Sequence, residues 1–565
     1  MKVVIIGGVA GGATAAARLR RLDEDVEIVM LERSGYISYA NCGLPYYTGG
    51  VIAEQDALTL QTPAHFWDRF RVQVRVRHEA VAIDREAHTV EVRNLEDGAT
   101  YTESYDKLLL APGARPVRPR LPGIDGKRVF TLRTVEDALR IRAFLEQNQP
   151  VSALVVGGGF IGLEMAENLT GQGIAVTVAE QAKQVMAPLD EDMACLVQGY
   201  LRENGVTLKL GDSVMSLEEK GESICAQLQS GETLDFEMAV MAVGVAPDTK
   251  LAEEAGLELS ARGAIVVDSA MRTSDPAIFA VGDAVEILDQ STGAKGQIPL
   301  AGPANKQARI AADQICGKNS RYSGALGTSI VKLFGMAAAS TGLNEKKARA
   351  SGIRYDKAVT FSASHATYYP GASNMTVKTI FDPDTGRILG AQIVGFDGVD
   401  KRIDVLAAAI HSGMTAQDLT ELDLSYAPPF SSAKDPVNMA GYVIENLREG
   451  LVRQFHWHDV APLLHNDQIT LLDVRTPAEF SNGHLPGAIN LPLDSLRQRL
   501  AELEPGKPVY VNCQSGLRSY LACRILSAHG FTCSHLSGGY RFYQIVAQEG
   551  RFDGKPCYDC GIPLR

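Results

Sequence analysis

The chain has 565 residues, of which 45% are hydrophobic and 22% are charged. This length exceeds what one hydrophobic core supports, so about three or four domains are expected. The net charge of −12 is spread without acidic or basic blocks, which argues against nucleic acid as the main partner. No apolar run approaches the ~20 residues of a membrane span, and the first strand pattern begins without a signal peptide. We therefore expect a soluble cytoplasmic protein with no membrane partner.

The first recognisable unit occupies the N-terminal residues. Lys2–Ile6 predicts a buried parallel strand, followed by the turn GGVAGG at 7–12 and an alanine-rich helix at 13–22. Residues 26–31 predict the next strand, which ends at Glu32. Glycines let the backbone approach a pyrophosphate, and an acid after the second strand can accept hydrogen bonds from a ribose. The unit predicts dinucleotide binding, although valine replaces the usual middle glycine of the turn.

A second unit of the same kind follows. Residues 154–162, LVVGGGFIG, contain the full G-x-G-x-x-G turn, with a predicted helix at 163–172 and a strand at 175–179 that ends at Glu180. Two such units in one chain suggest two dinucleotides, one flavin and one nicotinamide. The charge of Glu180 favours NADH, because a carboxylate pairs with a ribose 2′-hydroxyl and repels a 2′-phosphate. Lys183 keeps NADPH open as the alternative.

Two further pieces complete a recognisable order. Residues 105–114 predict a buried strand running into a Pro-Gly turn, and residues 278–284 predict a strand whose end presents an aspartate. In this order, the pieces resemble the two-dinucleotide-binding disulfide oxidoreductases of the flavoprotein class, over about residues 1–445. The resemblance implies FAD at Gly7, Gly12, Glu32 and Asp283, and the nicotinamide cofactor at Gly157, Gly159, Gly162 and Glu180.

One cysteine lies just after the first unit, in the stretch SYANCGLP at 38–45. Glutathione- and lipoamide-type reductases use a C-x4-C pair, but the position five after Cys42 is Tyr47. A lone redox cysteine cycles through a sulfenic acid or through a mixed disulfide with a small thiol. NADH peroxidases and oxidases take the first route and place a histidine in the first glycine turn, where this chain has Ala10. We therefore favour the mixed disulfide.

The same stretch resembles the S-[FY]-x-N-C motif of coenzyme A disulfide reductases, with Ser38 and Asn41 in the motif. The resemblance implies a mixed disulfide between Cys42 and coenzyme A. It also implies that Tyr368 and Tyr426 act near the cysteine of the partner subunit, which makes a homodimer the functional form. The basic residues expected at the coenzyme A phosphates are Arg18, Arg21, Arg69 and Arg71. For each of these arginines, a solvated helix face is an equally good interpretation.

A new α/β pattern starts near residue 455. Residues 469–474, 483–492 and 508–512 predict strands and loops, and the loop CQSGLR at 513–518 precedes a helix at 519–528. These pieces resemble a rhodanese domain over about residues 455–555. The four residues between Cys513 and Arg518 match the loop size that carries a sulfur atom. Loop amides, the helix N-terminus and Arg518 would lower the pKa of the thiol and favour a thiolate or persulfide.

The chain has nine cysteines, an odd number, so we expect free thiols rather than a scaffold of disulfide bonds. Cys557 and Cys560 form a lone C-x-x-C with no second pair, so no metal site is expected there.

The expected fold class is α/β, with two Rossmann-like domains, an α+β dimerisation domain and a C-terminal rhodanese domain. The expected boundaries are 1–112 with 251–325 for FAD, 113–250 for NAD(P)H, 326–445 for dimerisation, 455–555 for rhodanese and 556–565 for a tail.

The sequence predicts an FAD-dependent enzyme that uses NADH to reduce coenzyme A persulfide, polysulfide or disulfide. The rhodanese domain would carry sulfane sulfur. Two alternatives remain open at this point. One is an NADH oxidase or peroxidase that cycles through a sulfenic acid, and the other is a sulfur carrier with a non-catalytic flavin module.

Overall fold

The computed structural model describes residues 1–464 and 466–549. They form two compact units. The first comprises Met1–Lys183 and Val206–Gly327, and the second comprises Gln184–Gly205 and the described residues from Thr328 onward. The tail at 556–565 with Cys557 and Cys560, and the end of the expected rhodanese domain, lie outside the described residues. Within the described part, no helix has both the length and the apolar character needed to cross a bilayer.

The first unit contains a five-stranded parallel sheet built on the N-terminal strand. Its strands, in spatial order, are Ile278–Ala280, Lys107–Leu110, Lys2–Ile6, Glu27–Glu32 and Val72–Val76. The central strand is fully buried on both faces, which explains its uninterrupted apolar run. Helices Ala10–Leu22 and Ala301–Ile315 pack against each other. Parallel register brings the ends of several strands to one edge, where ligands of such sheets bind.

A second parallel sheet repeats this design. Its spatial order is Val129–Thr131, Met238–Met241, Ser152–Val156, Ala175–Glu180 and Thr207–Leu210, with helix Phe160–Gly171 after the glycine turn. Both turn-following helices begin three residues earlier than expected, at Ala10 and Phe160, because the last residues of each glycine turn already form helix.

The remaining described elements of the first unit surround these sheets. The antiparallel strands are His78–Asp84, Thr89–Asn94 and Thr100–Ser104, and Val214–Lys220, Ser223–Leu228 and Thr233–Phe236. The helices are Leu44–Thr48, Pro63–Phe70, Val135–Asn148 and Lys250–Glu254. The short strand pairs are Ile37–Tyr39 with Thr59–Gln61, and Ala114–Pro116 with Val245–Pro247. A third small sheet contains Ile265–Val266, Val285–Leu288 and Lys295–Gly296.

The second unit opens with a five-stranded antiparallel sheet. Its spatial order is Ser329–Leu333, Met336–Gly342, Ile388–Gly395, Asn374–Phe381 and Asp356–Ala363. The helices of this part are Glu191–Glu203, Glu345–Ala350, Val399–His411, Ala416–Glu421 and Pro436–Arg448. Three of these strands, Asp356–Ala363, Asn374–Phe381 and Ile388–Gly395, follow one another along the chain without a helix between them.

The C-terminal part of the second unit is a parallel sheet of its own. Its spatial order is Gln454–Phe455, Cys533–Leu536, Val509–Asn512, Thr470–Asp473 and Ile489–Asn490. The helices are Val460–Leu463, Pro477–Ser481, Leu493–Leu496, Leu517–Ala528 and Gly539–Glu549. The middle strand ends immediately before Cys513, which places this cysteine at the carboxyl edge of the sheet.

A buried ionic cluster connects several segments of the second unit. The Lys378 ammonium lies 3.1 Å from Asp190, 2.7 Å from Asp192 and 2.5 Å from Glu345. These three carboxylates are close enough together to suit a cation, and the lysine supplies that positive charge. The Trp457 indole donates to Asp192 at 3.3 Å. Asp192 therefore links Trp457, near the start of the C-terminal part, to Lys378 on the antiparallel sheet.

Candidate active site

The first glycine turn is shaped by close backbone approach. Gly7 has φ +98°, and a Cβ there would lie 2.1 Å from the Ala111 carbonyl oxygen. A Cβ on Gly12 would lie 1.8 Å from the Gly7 carbonyl oxygen. Any side chain at either position would push the strand, turn and helix apart. These glycines keep the strand end and the helix N-terminus close enough for both to face one ligand.

The second turn repeats this geometry. Gly157 has φ +112° and would meet the Ala242 oxygen at 2.3 Å, and a Cβ on Gly162 would lie 2.0 Å from the Gly157 oxygen. Gly159 differs, because a Cβ there would meet nothing within 4 Å. The matching position of the first turn is Val9. Because the equivalent Gly159 has room for a side chain, a valine at this position is expected to cause no steric clash. The open space at Gly159 is room for a dinucleotide backbone.

Each unit ends its second strand with a carboxylate aimed back at its own turn. Glu32 accepts the Gly8 amide at 2.7 Å, and Glu180 accepts the Gly158 amide at 2.6 Å. The two acids therefore occupy equivalent positions beside the two turns. This arrangement fits a ribose that bridges each acid and its turn, as the sequence predicted.

Arg133 is a component that the sequence did not reveal. Its guanidinium lies 2.8 Å from Asp283, and its carbonyl accepts the Asn41 side-chain amide at 2.9 Å in the amide orientation that satisfies both groups. Arg133 also borders a cavity of about 520 Å³ whose other arginines are Arg33, Arg115 and Arg118. Three of these four arginines have carboxylate partners, since Arg33 pairs with Asp248 at 2.7 Å and Arg118 with Asp125 at 2.9 Å, in addition to the Arg133–Asp283 pair. The first glycine turn and Glu32 are the residues that fit a flavin dinucleotide, and Arg133 links Asp283 to the cysteine segment through Asn41.

Cys42 lies on a one-turn 3-10 helix, Asn41–Gly43, and its residue is exposed. Ser38 adopts a left-handed backbone with φ 46°, and its amide donates to the Gly8 carbonyl at 2.8 Å. This bond attaches the cysteine segment to the first glycine turn. Among the described cysteines, Cys42 is the only exposed one. The structure thus presents one accessible thiol next to the first dinucleotide turn.

The electrostatic surroundings of Cys42 oppose ionisation. Although the residue is exposed to solvent, the protein atoms around the sulfur partly desolvate it, and this raises the pKa of the Cys42 thiol. The charge of Glu164 raises this pKa further, and the charge of Arg133 lowers it. Burial also raises the pKa of Glu164 to about 7. The Tyr46 hydroxyl donates to Glu164 at 3.5 Å. Near neutral pH, Glu164 therefore exists in both protonation states beside the cysteine, and no motif in the sequence predicts this role.

The four arginines expected at coenzyme A phosphates differ in their surroundings. Arg18 pairs with Asp313 at 2.7 Å, while Arg21, Arg69 and Arg71 are exposed. The neighbouring Arg20, which the sequence analysis passed over, is buried. Its guanidinium donates to the carbonyls of Val26, Phe70 and Arg71 at 2.7, 2.8 and 3.2 Å. It holds the helices that carry the other arginines together, and the phosphate-binding role of those four stays a prediction.

Tyr368 and Tyr426 meet in the second unit. Their hydroxyl oxygens are 3.0 Å apart, and the two residues are 74% and 48% exposed. The two residues are 58 positions apart in sequence, so the fold brings their hydroxyl groups together at the protein surface. Their expected role in a partner subunit stays a prediction.

Cys513 lies at the floor of its loop and is only 1% exposed. The Gly516 amide donates to the sulfur at 3.1 Å, and the thiol donates to the Ser519 hydroxyl at 3.4 Å. Gly516 has φ +107°, a left-handed conformation that glycine adopts without strain. The Tyr540 amide fixes the loop from behind, through a 2.7 Å bond to the Cys513 carbonyl. The loop is therefore built around the sulfur.

The charge of Arg518 is partly neutralised by an ion pair with Glu479. Its two terminal nitrogens donate to the two oxygens of Glu479 at 2.8 and 2.6 Å. The Arg518 guanidinium holds the pKa of Glu479 down to about 2. The sequence predicts Arg518 as a cation for the cysteine but does not reveal Glu479, which lies 39 residues upstream. The loop thus presents an ion pair where a bare cation was expected.

The fold and the two cysteine sites define a flavoprotein oxidoreductase with an added C-terminal α/β module. Residues 1–308 match the pyridine nucleotide-disulphide oxidoreductase model, residues 328–436 its dimerisation domain and residues 457–545 a rhodanese-like domain. The chain belongs to the pyridine nucleotide-disulphide oxidoreductase family. Membership implies FAD and NAD(P)H as cofactors. The expected family and fold class are confirmed.

Several characterised proteins are similar to this chain. A coenzyme A disulfide reductase from Staphylococcus haemolyticus is 37% identical over 79% of this chain and 100% of its own length. A crystal structure of reduced CoADR-RHD from Bacillus anthracis is 48% identical, with a TM-score of 0.95 over 97% of this chain and 98% of that one. An NAD-dependent persulfide reductase from A. fulgidus is 39% identical, with a TM-score of 0.91 over 96% of this chain and 100% of that one.

Proposed function

We propose that this enzyme uses NADH to reduce coenzyme A persulfide or polysulfide, and more slowly coenzyme A disulfide, through Cys42 alone. The observation that carries the proposal is one exposed thiol beside the first dinucleotide turn, with tyrosine at the position of a resolving cysteine. The similarity to a coenzyme A disulfide reductase and to a persulfide reductase supports coenzyme A as the thiol that completes the disulfide.

FAD, when bound at the first turn, would supply the electron pair that NADH brings to the second turn. The Cys42 thiolate attacks the coenzyme A sulfur of the persulfide, so that a mixed disulfide forms and hydrosulfide leaves. Two electrons and one proton then break that disulfide into the Cys42 thiolate and free coenzyme A. The balanced result consumes one NADH and one proton and releases one hydrogen sulfide.

The chain's own residues supply binding and protons. Glu32 and Glu180 would hold the two riboses, and Asp283 and Arg133 would hold the flavin side of the site. In the homodimer, Tyr368 and Tyr426 of each chain would stabilise or protonate the leaving sulfur at the partner's cysteine. Glu164, whose pKa burial raises to about 7, is partly protonated near Cys42 at neutral pH and can give or take a proton there. The Cys513 loop would carry sulfane sulfur as a persulfide for delivery to coenzyme A.

The test compares substrates on matched variants of the purified holoenzyme. NADH consumption and sulfide release are measured with coenzyme A persulfide, coenzyme A disulfide and hydrogen peroxide, on wild type, Cys42→Ser and the buried control Cys195→Ser. We expect persulfide to react fastest with sulfide release, loss of all turnover in Cys42→Ser, and wild-type rates in Cys195→Ser. Faster disulfide turnover without sulfide would limit the activity to disulfide reduction. Rapid peroxide turnover would replace the proposal with the sulfenic acid route.

A further inference from the structure

We infer that Arg402 is a positioning residue that sets the geometry of the Tyr368–Tyr426 pair, and that it thereby controls the step in which hydrosulfide leaves coenzyme A persulfide as the partner's Cys42 attacks it. The inference rests on the proposed function for the role of the tyrosines. Its structural basis lies entirely within the second unit.

Arg402 lies on helix Val399–His411 and is 1% exposed. A buried guanidinium is stable only when its donors are satisfied. Two of its nitrogens lie 3.2 and 3.0 Å from one carboxylate oxygen of Asp435, and this aspartate also caps helix Pro436–Arg448. The arginine therefore has a fixed charge partner, and its Nη1 atom donates to the Gly398 carbonyl at 3.2 Å, at the start of its own helix.

The Nη2 atom that faces Asp435 also reaches both segments that carry the tyrosines. The Nη2 atom donates to the Ser364 carbonyl at 2.8 Å, in the segment that leads to Tyr368. The same atom donates to the Phe430 carbonyl at 3.4 Å, in the segment that follows Tyr426. One planar guanidinium thus fixes two segments that are far apart in sequence, which a lysine ammonium on a flexible stem cannot reproduce.

Direct bonds between the two segments complete the arrangement. The Ala366 amide donates to the carbonyls of Pro428 and Ser431 at 3.3 and 3.2 Å. The Ser431 hydroxyl donates to Asp435 at 2.7 Å and accepts from Arg402 at 3.2 Å. The two segments and the ion pair therefore form one hydrogen-bonded layer beneath the tyrosines.

The tyrosine side chains depend on this layer for their relative position. Both are exposed, so side-chain packing does not hold them in place. Their 3.0 Å hydroxyl contact raises the pKa of Tyr368 through the hydrogen bond to Tyr426. A hydroxyl that accepts from its neighbour can donate its own proton to a third atom in a defined direction. Loss of the layer would separate the hydroxyls and remove that direction.

The test uses half-reactions of the holoenzyme, which separate positioning from general damage. Arg402→Lys keeps the charge opposite Asp435 and removes the planar fork. We expect the mixed disulfide to be reduced by NADH at the wild-type rate, and the reaction of reduced enzyme with coenzyme A persulfide to slow by about 10- to 100-fold. The control Arg202→Lys alters another buried, ion-paired arginine of the same unit and should leave both half-reactions unchanged.

A double-mutant cycle decides whether Arg402 acts through the tyrosines. If it does, Arg402→Lys combined with Tyr426→Phe is no slower with persulfide than Tyr426→Phe alone. Additive losses, or equal slowing of both half-reactions in Arg402→Lys, would overturn the inference. A slow Tyr426→Phe with a wild-type Arg402→Lys would overturn it while leaving the proposed function intact. A wild-type rate in Tyr426→Phe would instead remove the proposed role of the tyrosines, and the inference with it.

Discussion

Replacing Lys378 with methionine should strongly destabilise the second unit. The ammonium is fully buried and lies between three buried carboxylates, Asp190, Asp192 and Glu345, at 3.1, 2.7 and 2.5 Å. Methionine keeps the length and apolar stem but removes the counter-charge of Asp190 and Asp192, while Glu345 keeps Lys357 at 2.8 Å and Arg349 at 2.9 Å. Removing one partner from a buried ionic group costs about 3–5 kcal/mol. We expect the free energy of unfolding of this unit to fall by that amount.

The chain offers a local probe and a matched control. It has two tryptophans, and Trp457 donates to Asp192 at the edge of this cluster. In a Trp67→Phe background, denaturant unfolding followed by Trp457 fluorescence therefore reports the second unit. The control Arg354→Met removes an exposed pair with Asp384 at 2.6 Å, worth about 0–1 kcal/mol. Losses of the same size in the two variants would refute the reasoning.

The same cluster predicts that the free energy of unfolding of the second unit falls at acidic pH. Burial alone would raise the pKa of Glu345, but Lys378 and Lys357 outweigh it and hold that pKa well below its ordinary value. A carboxyl whose pKa is lowered by folding adds stability above its unfolded pKa of about 4.3, and this stability is lost as the pH falls towards the folded pKa. The loss caused by Lys378→Met should therefore be full at pH 7 and shrink below about pH 4. A loss that stays constant through this range would contradict the ionic explanation.

Three further predictions concern the functional sites. Gly12→Ala should abolish FAD incorporation, measured by the flavin spectrum, because the added Cβ would lie 1.8 Å from a carbonyl oxygen. The control Gly159→Ala should fold and keep FAD, because the added Cβ meets nothing within 4 Å. Glu164→Gln should move the pH profile of Cys42 alkylation to lower pH, because a carboxylate that raises the thiol pKa is removed; an unmoved profile would exclude their coupling. Glu479→Gln should speed persulfide formation from the anionic donor thiosulfate, because a carboxylate that neutralises the loop arginine is lost, and an unchanged rate at low salt would contradict this.

The dinucleotide units were predictable because their chemistry is local. Glycines at Gly7 and Gly157 are required by close backbone contacts, and the acids at Glu32 and Glu180 follow the second strand of each unit. Close contact of this kind restricts the residue type, and so it is visible in sequence. The valine at position 9 also has a physical account, since the equivalent glycine has open space around it.

The missed residues are those whose partners are distant in sequence. Arg133 reaches Asp283, which lies 150 positions away, and Arg402 reaches carbonyls of two separate segments. Arg518 matches its motif, but the motif does not contain Glu479. Long side chains that bond backbone carbonyls leave no pattern in the chain, because any residue supplies a carbonyl. Such positioning contacts become visible only when the tertiary structure is known.

The central claim is that Cys42 cycles through a mixed disulfide with coenzyme A. The most direct measurement is peptide mass spectrometry, under non-reducing conditions, of reduced holoenzyme quenched after one turnover with coenzyme A persulfide in the presence of a sulfenic acid trap. The account predicts one coenzyme A attached by a disulfide to the peptide that contains Cys42, and its release when NADH is added. A trapped sulfenic acid on Cys42, or a disulfide from Cys42 to another cysteine of the chain, would contradict it.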